Sequence, residues 1–225
     1  DSHVKPRIVW GVEDVVMCPG KETMFTFLEN VIEEMVSLFP STYFHIGGDE
    51  CPKTSWEKCP NCQKRIASMG LVDDKKHTAE QYLQSYVVRR MEKVLKKYGK
   101  RLIGWDEILE GGLSPEATVM SWRGEMGGIE AAMQNHDVIM ASHGNGMYLD
   151  QFQGDSKIEP VSIGGYTPLE RTYSYNPVPD TLITLGKEHY VKGVQCNNWS
   201  EYMYTPDILE YRMYPRMLAL AEIAW

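Results

Sequence analysis

Short apolar runs alternate along the chain with polar or glycine-rich stretches, and then with residues spaced for an amphipathic helix. The runs 42-TYFHI-46, 101-RLIGW-105, 117-ATVMSW-122, 138-VIMAS-142 and 193-GVQCNNW-199 have the length and composition of strands. A helix is predicted over about 22–39, with Phe25, Leu28, Ile32, Met35 and Val36 on one face. A second, over about 78–98, repeats that spacing with Tyr82, Tyr86, Met91, Val94 and Leu95. Further helices are predicted near 127–134, 179–187 and 206–224. Strands alternating with helices imply an α/β fold with a parallel sheet and helices outside it. A closed (β/α)8 TIM barrel needs eight such units, and five are counted here. The chain is therefore expected to be an incomplete barrel, a single catalytic-barrel domain over 1–225. Residues 1–20 read as the loop after a missing third strand, and 21–225 as strand–helix units 4 to 8. Such a barrel would expose sheet edges, which a second copy of the chain could cover as a homo-oligomer.

The composition narrows the function classes. The 225 residues carry a formal charge of −8, which argues against a nucleic-acid partner, since that needs basic patches. No run of about 18 apolar residues predicts a membrane span. The start, DSHVKPRIVWG, lacks the basic and apolar regions of a signal peptide. There is no GxGxxG, GxSxG or HExxH motif. The five cysteines leave at least one thiol without an intrachain partner. Cys51, Cys59 and Cys62, in CPKTSWEKCPNC, have spacing compatible with three zinc ligands, with a loop staple or plain thiols as the alternatives.

Chemistry gathers at the ends of the strand-like runs. Asp49 and Glu50 follow the first, the second ends in Trp105 and the third in Trp122, the fourth leads to Tyr148 and Asp150, and the fifth gives Trp199 and Glu201. In a parallel barrel those ends open onto one face, so the residues are expected in one pocket. Flat aromatic rings pack on the C–H faces of sugars, and carboxylates accept hydrogen bonds from their hydroxyls. Carbohydrate is the substrate class that fits. His45 reads as a hydrogen-bonded core histidine that could support the site, and Trp10, Trp56 and Trp225 read as packing residues. A third reading, a metal-dependent hydrolase using His45, Asp49 and Glu50, fits less well.

A second doublet, Asp106 and Glu107, competes with Asp49 and Glu50, but it is also what a helix N-terminus favours. Gly47 and Gly48 precede only the first doublet, and glycines allow a backbone to approach a ligand closely. Adjacent acids in an extended segment point to opposite sides, which suits them poorly to flank one sugar from both faces. Adjacency is compatible with a division of labour. One acid protonates the leaving oxygen, while its neighbour steadies an N-acetyl group whose carbonyl oxygen attacks C1.

HIGGDE, followed in order by GWDEIL, SWRG, MYLD, YTPLERTYSYNPVP and NNWSEY, strongly resembles the family 20 glycoside hydrolases, the β-N-acetylhexosaminidases. The resemblance runs from about Tyr43 to the C-terminus. It implies that Glu50 is the general acid/base and that Asp49 orients the acetamido nucleophile. It also implies that Tyr148 hydrogen-bonds the acetamide carbonyl. Trp105, Trp122 and Trp199 would wall the sugar pocket, and Asp150 and Glu201 would hold ring hydroxyls. A general acid there is expected to be buried beside Asp49, which raises its pKa. The resemblance implies no metal or organic cofactor, a glycan partner ending in an N-acetylhexosamine, and a periplasmic or extracellular location. Family members also carry an early arginine and an Asp–His pair, which no segment here matches. A non-catalytic carbohydrate-binding fragment of the same scaffold is the alternative.

Overall fold

The computed structural model describes residues 4–225 and divides them into two compact units, the first ending at Ala117 and the second beginning at Thr118. Residues 4–20 form neither helix nor strand, while positions 1–3 of the expected leading loop lie outside the described residues.

In the first unit, α1 (Glu22–Leu38) leads into β1 (Tyr43–His45). Then come α2 (Thr54–Lys58), α3 (Pro60–Met69), α4 (Ala79–Lys97) and β2 (Arg101–Trp105). The strands are parallel, with Tyr43, Phe44 and His45 opposite Arg101, Leu102 and Ile103. Pairing runs past the strand ends, where the Ile46 N–H bonds Ile103 O at 2.9 Å and the Trp105 N–H bonds Gly47 O at 2.9 Å. Helix α4 begins with a reciprocal capping box, Thr78 with Gln81, which satisfies two otherwise orphaned donors. It packs between α1 and β2, burying Leu83, Val88, Met91, Val94 and Leu95. On α1 only Phe25 and Ile32 of the expected apolar face are buried. The Arg90 guanidinium sits 3.9 Å from the Phe25 ring centroid and closes that contact.

In the second unit, β3 (Thr118–Ser121), α5 (Met126–Met133) and β4 (Val138–Met140) are followed by α6 (Leu169–Tyr173) and α7 (Asp180–Thr184). The chain then forms β5 (Val191–Val194), α8 (Pro206–Met213) and α9 (Arg216–Ala224). The three strands are parallel, with β4 between β3 and β5 and a register irregularity at Val138/Ile139. Val119, Val138, Met140, Ala131 and Ala132 form the core where α5 lies on β3 and β4. Gly128 leaves room there for the Met140 side chain, whose sulfur a Cβ would meet at 2.8 Å. The Gly128 N–H also bonds Ser121 Oγ at 2.9 Å, pinning the helix start to the strand end.

Four expectations are corrected. The fifth strand is 191–194, because most of GVQCNNW is loop that continues by single bonds such as Gln195 N–H to Met140 O. The helix expected over 206–224 is two, since Pro215 has no N–H to extend the first. Helices α2, α3 and α6 were not expected: α2 and α6 span five residues each, too short for a periodic apolar stripe, and α3 buries only Cys62 and Ile66. Of the three tryptophans read as packing residues only Trp56 packs, while Trp10 and Trp225 are exposed. Among the described residues, no helix is long and apolar enough to cross a membrane.

Candidate active site

In the first unit, β1 delivers His45, Gly47, Gly48, Asp49 and Glu50 in sequence. Gly47 and Gly48 take left-handed φ values of 73° and 95°, and a Cβ on Gly48 would meet Ile108 Cγ2 at 2.7 Å. Glu50 also lies in the left-handed region, at φ 45°, where a residue with a side chain is strained by roughly 1–2 kcal/mol. Asp49 and Glu50 are exposed, so the burial expected around the acid is not found. Neither is hydrogen-bonded to another described residue. The turn after them is fixed by Lys53, whose Nζ donates to Cys51 O at 2.7 Å and to Gln84 Oε1, and pairs with Glu110 at 3.3 Å.

His45 Nδ1 accepts the Gly47 N–H at 3.0 Å, which places any ring proton of the neutral imidazole on Nε2. That Nε2 is buried without a partner. Burial pushes the His45 pKa below its ordinary value against the opposing pull of Asp49. Its ring meets Trp105 edge-on at 4.9 Å, and Trp105 is itself buried. Asp106 and Glu107, the competing doublet, are buried in the short 3-10 turn 106–109. A cavity of about 330 Å³ beside β1 has an apolar lining that includes His45 and Gly48, but not Asp49 or Glu50.

In the second unit, Trp122, Tyr148 and Trp199 meet. Trp122 stacks on Tyr148 at 6.2 Å and 17°, and Trp199 meets Tyr148 at 6.4 Å and 60°. The backbone sets this up: the His143 N–H bonds Trp122 O at 2.9 Å, while Tyr148 is bridged to Asn197 through Leu149 N–H to Asn197 O at 2.8 Å. Asp150 is buried, its Oδ1 has no hydrogen-bond partner among the described residues, and burial raises its pKa, helped by Glu201. Hydrogen bonds from its own backbone and from Trp199, with the charge of His143, oppose that rise. Both polar side-chain atoms of Asn198 are also buried without partners. Buried orphan polar atoms in a loop beside aromatic rings are what a polyhydroxylated ligand would satisfy.

The structure thus places His45, Asp49, Glu50 and Trp105 together in the first unit. It places Trp122, Tyr148, Asp150, Trp199 and Glu201 in the second. Sequence reasoning passed over His143, whose ring meets Tyr148 edge-on at 4.9 Å, although it directly follows the run VIMAS. It also passed over Arg212 and Arg216, both fully buried. Arg216 donates to Leu149 O at 2.6 Å and Thr167 O at 2.8 Å, and Arg212 to Gln151 O at 3.2 Å. These two cations hold the loop that carries Tyr148 and Asp150, a role with no motif of its own. The cysteine trio is regrouped. Cys18, not Cys51, joins Cys59 and Cys62, with the three sulfurs within 4.8 Å of one another.

Residues 1–225 match the family model described as glycosyl hydrolase family 20, catalytic domain. A beta-hexosaminidase of Porphyromonas gingivalis is 59% identical over 221 residues, which are 98% of this chain and 28% of that protein. A beta-hexosaminidase of Vibrio furnissii is 36% identical over 223 residues, again 98% of this chain and 35% of its own length. The crystal structure of a family 20 exo-β-N-acetylglucosaminidase from Vibrio harveyi, in complex with N-acetylglucosamine, superposes with a TM-score of 0.81 at 32% identity. That match covers 93% of this chain and 32% of the other. The chain therefore spans about a third of the length of these relatives, and the parallel strands of each unit, with their helices, are part of a (β/α)8 barrel. It belongs to glycosyl hydrolase family 20, within that family's catalytic domain.

Proposed function

We propose that this chain carries catalytic residues of a retaining exo-β-N-acetylhexosaminidase, which removes terminal β-linked N-acetylglucosamine or N-acetylgalactosamine from glycans in the periplasm or outside the cell. Glu50 protonates the glycosidic oxygen as the bond to C1 breaks. The acetamido carbonyl oxygen of the same sugar attacks C1, and Asp49 accepts the amide N–H and stabilises the positive charge that develops. Water, deprotonated by Glu50, then opens the cyclic intermediate, so the configuration at C1 is retained. Tyr148 hydrogen-bonds the acetamide carbonyl, Trp105, Trp122 and Trp199 contact the sugar faces, and Asp150 and Glu201 hold ring hydroxyls. His45 supports the acids from β1.

The observation that carries the reading is the backbone at HIGGDE. A strand ends in two left-handed glycines and then a strained glutamate, a cost that proteins keep where a side chain must be aimed. The partner-free Oδ1 of buried Asp150 supports the sugar-holding role. In the protein at its natural length, Glu50→Gln is expected to lower kcat for N,N′-diacetylchitobiose by roughly 10²–10⁴-fold. The loss should be smaller for the 4-nitrophenyl glycoside, whose leaving group needs less protonation. Unchanged turnover of both substrates would remove Glu50 from the mechanism. A thiazoline mimic of the cyclised intermediate should inhibit strongly, and full activity in Asp49→Asn would remove Asp49. Calorimetric binding of N-acetylglucosamine without any turnover would favour the non-catalytic alternative.

A further inference from the structure

The function leaves the thiols of the first unit unused, and they are the most organised unassigned cluster in it. Cys18 lies near the end of the irregular segment before α1, while Cys59 is the N-cap of α3 and Cys62 lies in its first turn. The Cys18 sulfur lies 3.5 Å from that of Cys59 and 3.5 Å from that of Cys62. A disulfide needs about 2.05 Å. Sulfurs at two corners of a tetrahedron around a metal, at about 2.3 Å from it, stand roughly 3.8 Å apart. All three sulfurs also fall within 4.8 Å of one another, and all three cysteines are free.

The backbone is shaped around this triangle. The Lys21 N–H bonds Cys18 O at 3.1 Å and the Gln63 N–H bonds Cys59 O at 3.0 Å, so backbone hydrogen bonds fix both turns that carry the sulfurs. Backbone fixed around the ligands orients them toward a common ion. The two turns, 18-CPG-20 and 59-CPNC-62, lie directly against each other. A Cβ on Gly20 would meet the Asn61 carbonyl carbon at 2.2 Å and the Cys62 nitrogen at 2.5 Å. Among the described residues no carboxylate or imidazole belongs to the group, so this donor set is soft, which selects zinc-type over magnesium- or calcium-type ions.

We propose that Cys18, Cys59 and Cys62 form a structural metal site, in which three thiolates bind one zinc-class ion and water takes the fourth position. Three thiol protons pass to solvent as the ion binds. The ion ties the segment before α1 to the start of α3, across separations of 41 and 44 residues in sequence. Trp56, buried between the two, already marks that contact by donating from Nε1 to Met17 O at 2.9 Å.

The test is the metal content of the protein at its natural length, purified under reducing conditions without added metal and measured by plasma mass spectrometry. About one zinc per chain is expected. Cys18→Ser and Cys62→Ser should each lower that content at least about tenfold, whereas Cys51→Ser and Cys196→Ser should leave it unchanged. Because the first two variants could fail to fold, the metal-stripped wild-type protein is also refilled with Co²⁺. Sulfur-to-cobalt charge-transfer bands with tetrahedral visible bands are expected. Absence of both zinc and these bands, an intact mass short by the two hydrogens of a disulfide, or loss of metal in Cys51→Ser with retention in Cys18→Ser would each overturn the site.

Discussion

Around β1 the acids stand exposed on a strained turn, with Glu50 at φ 45° and no hydrogen bond from another described residue to hold either carboxylate. Around β4 the corresponding acid, Asp150, is buried, and one of its oxygens has no hydrogen-bond partner among the described residues. The first arrangement puts its cost into the backbone, the second into lost solvation. Each cost suits a different task. An acid that must deliver a proton has to be aimed, and a left-handed turn aims it. An acid that must recognise hydroxyls gains from being desolvated before the ligand arrives, because each new hydrogen bond then replaces nothing.

The supports differ in the same way, and removing them should produce the largest effect. Arg216 is fully buried, and its guanidinium satisfies the carbonyls of Leu149 and Thr167. Arg216→Met would leave those acceptors buried and empty, at a cost of about 3 kcal/mol. Lys53 fixes the turn after Glu50 from a more accessible position, with 17% of its side chain exposed, so Lys53→Met should cost only about 1 kcal/mol. Urea unfolding of the protein at its natural length, followed by tryptophan fluorescence, measures both. Equal losses would show that the two regions are supported alike and would break the comparison.

What the sequence made legible follows the same division. The first four strand ends and the doublet are local features, and periodicity with two glycines located them to within a residue or two, whereas the fifth strand, at 191–194, was misplaced. Helices α1 and α4 were legible to within a residue or two because each presents a long apolar stripe. The exposure of Asp49 and Glu50 was not legible, since burial depends on what packs around a residue and not on its neighbours in sequence. Nothing in the sequence singled out Arg212 and Arg216, yet each is buried with its guanidinium on backbone carbonyls distant in the chain. Cys18 was missed for the same reason: CxxC spacing is visible in sequence, but a third sulfur arriving from a segment 41 residues earlier is not.

The next effect in size concerns solvation. Burial raises the pKa of Asp150, so the folded protein holds the Asp150 proton at pH values where the unfolded chain has released it. Stability should therefore fall as pH rises from the ordinary carboxylate range through the raised folded pKa. Asp150→Asn removes that loss. The variant should be more stable than the wild-type protein at neutral pH, with the difference disappearing in acid, as thermal melts across pH would show. It should also raise KM, because the amide no longer offers two acceptor oxygens to sugar hydroxyls. A variant that is less stable at neutral pH would mean that Asp150 is satisfied after all, and the contrast with Glu50 would fail.

The smallest effect concerns the backbone of Glu50 itself. At φ 45° a side chain costs energy that glycine does not, and this outweighs the greater unfolded-state freedom of glycine. Glu50→Gly should stabilise the protein by about 0.5–1 kcal/mol. Glu50→Gln keeps a side chain on the same φ, and because the residue is exposed it should shift stability by less than about 0.3 kcal/mol. Both variants remove the carboxylic acid and should lose turnover together. The pair therefore separates strain from chemistry: equal activity losses with unequal melting temperatures assign the strain to the backbone and the turnover to the acid. If Glu50→Gly is no more stable than Glu50→Gln, the turn carries no stored strain, and the exposed acid is aimed by something other than its backbone.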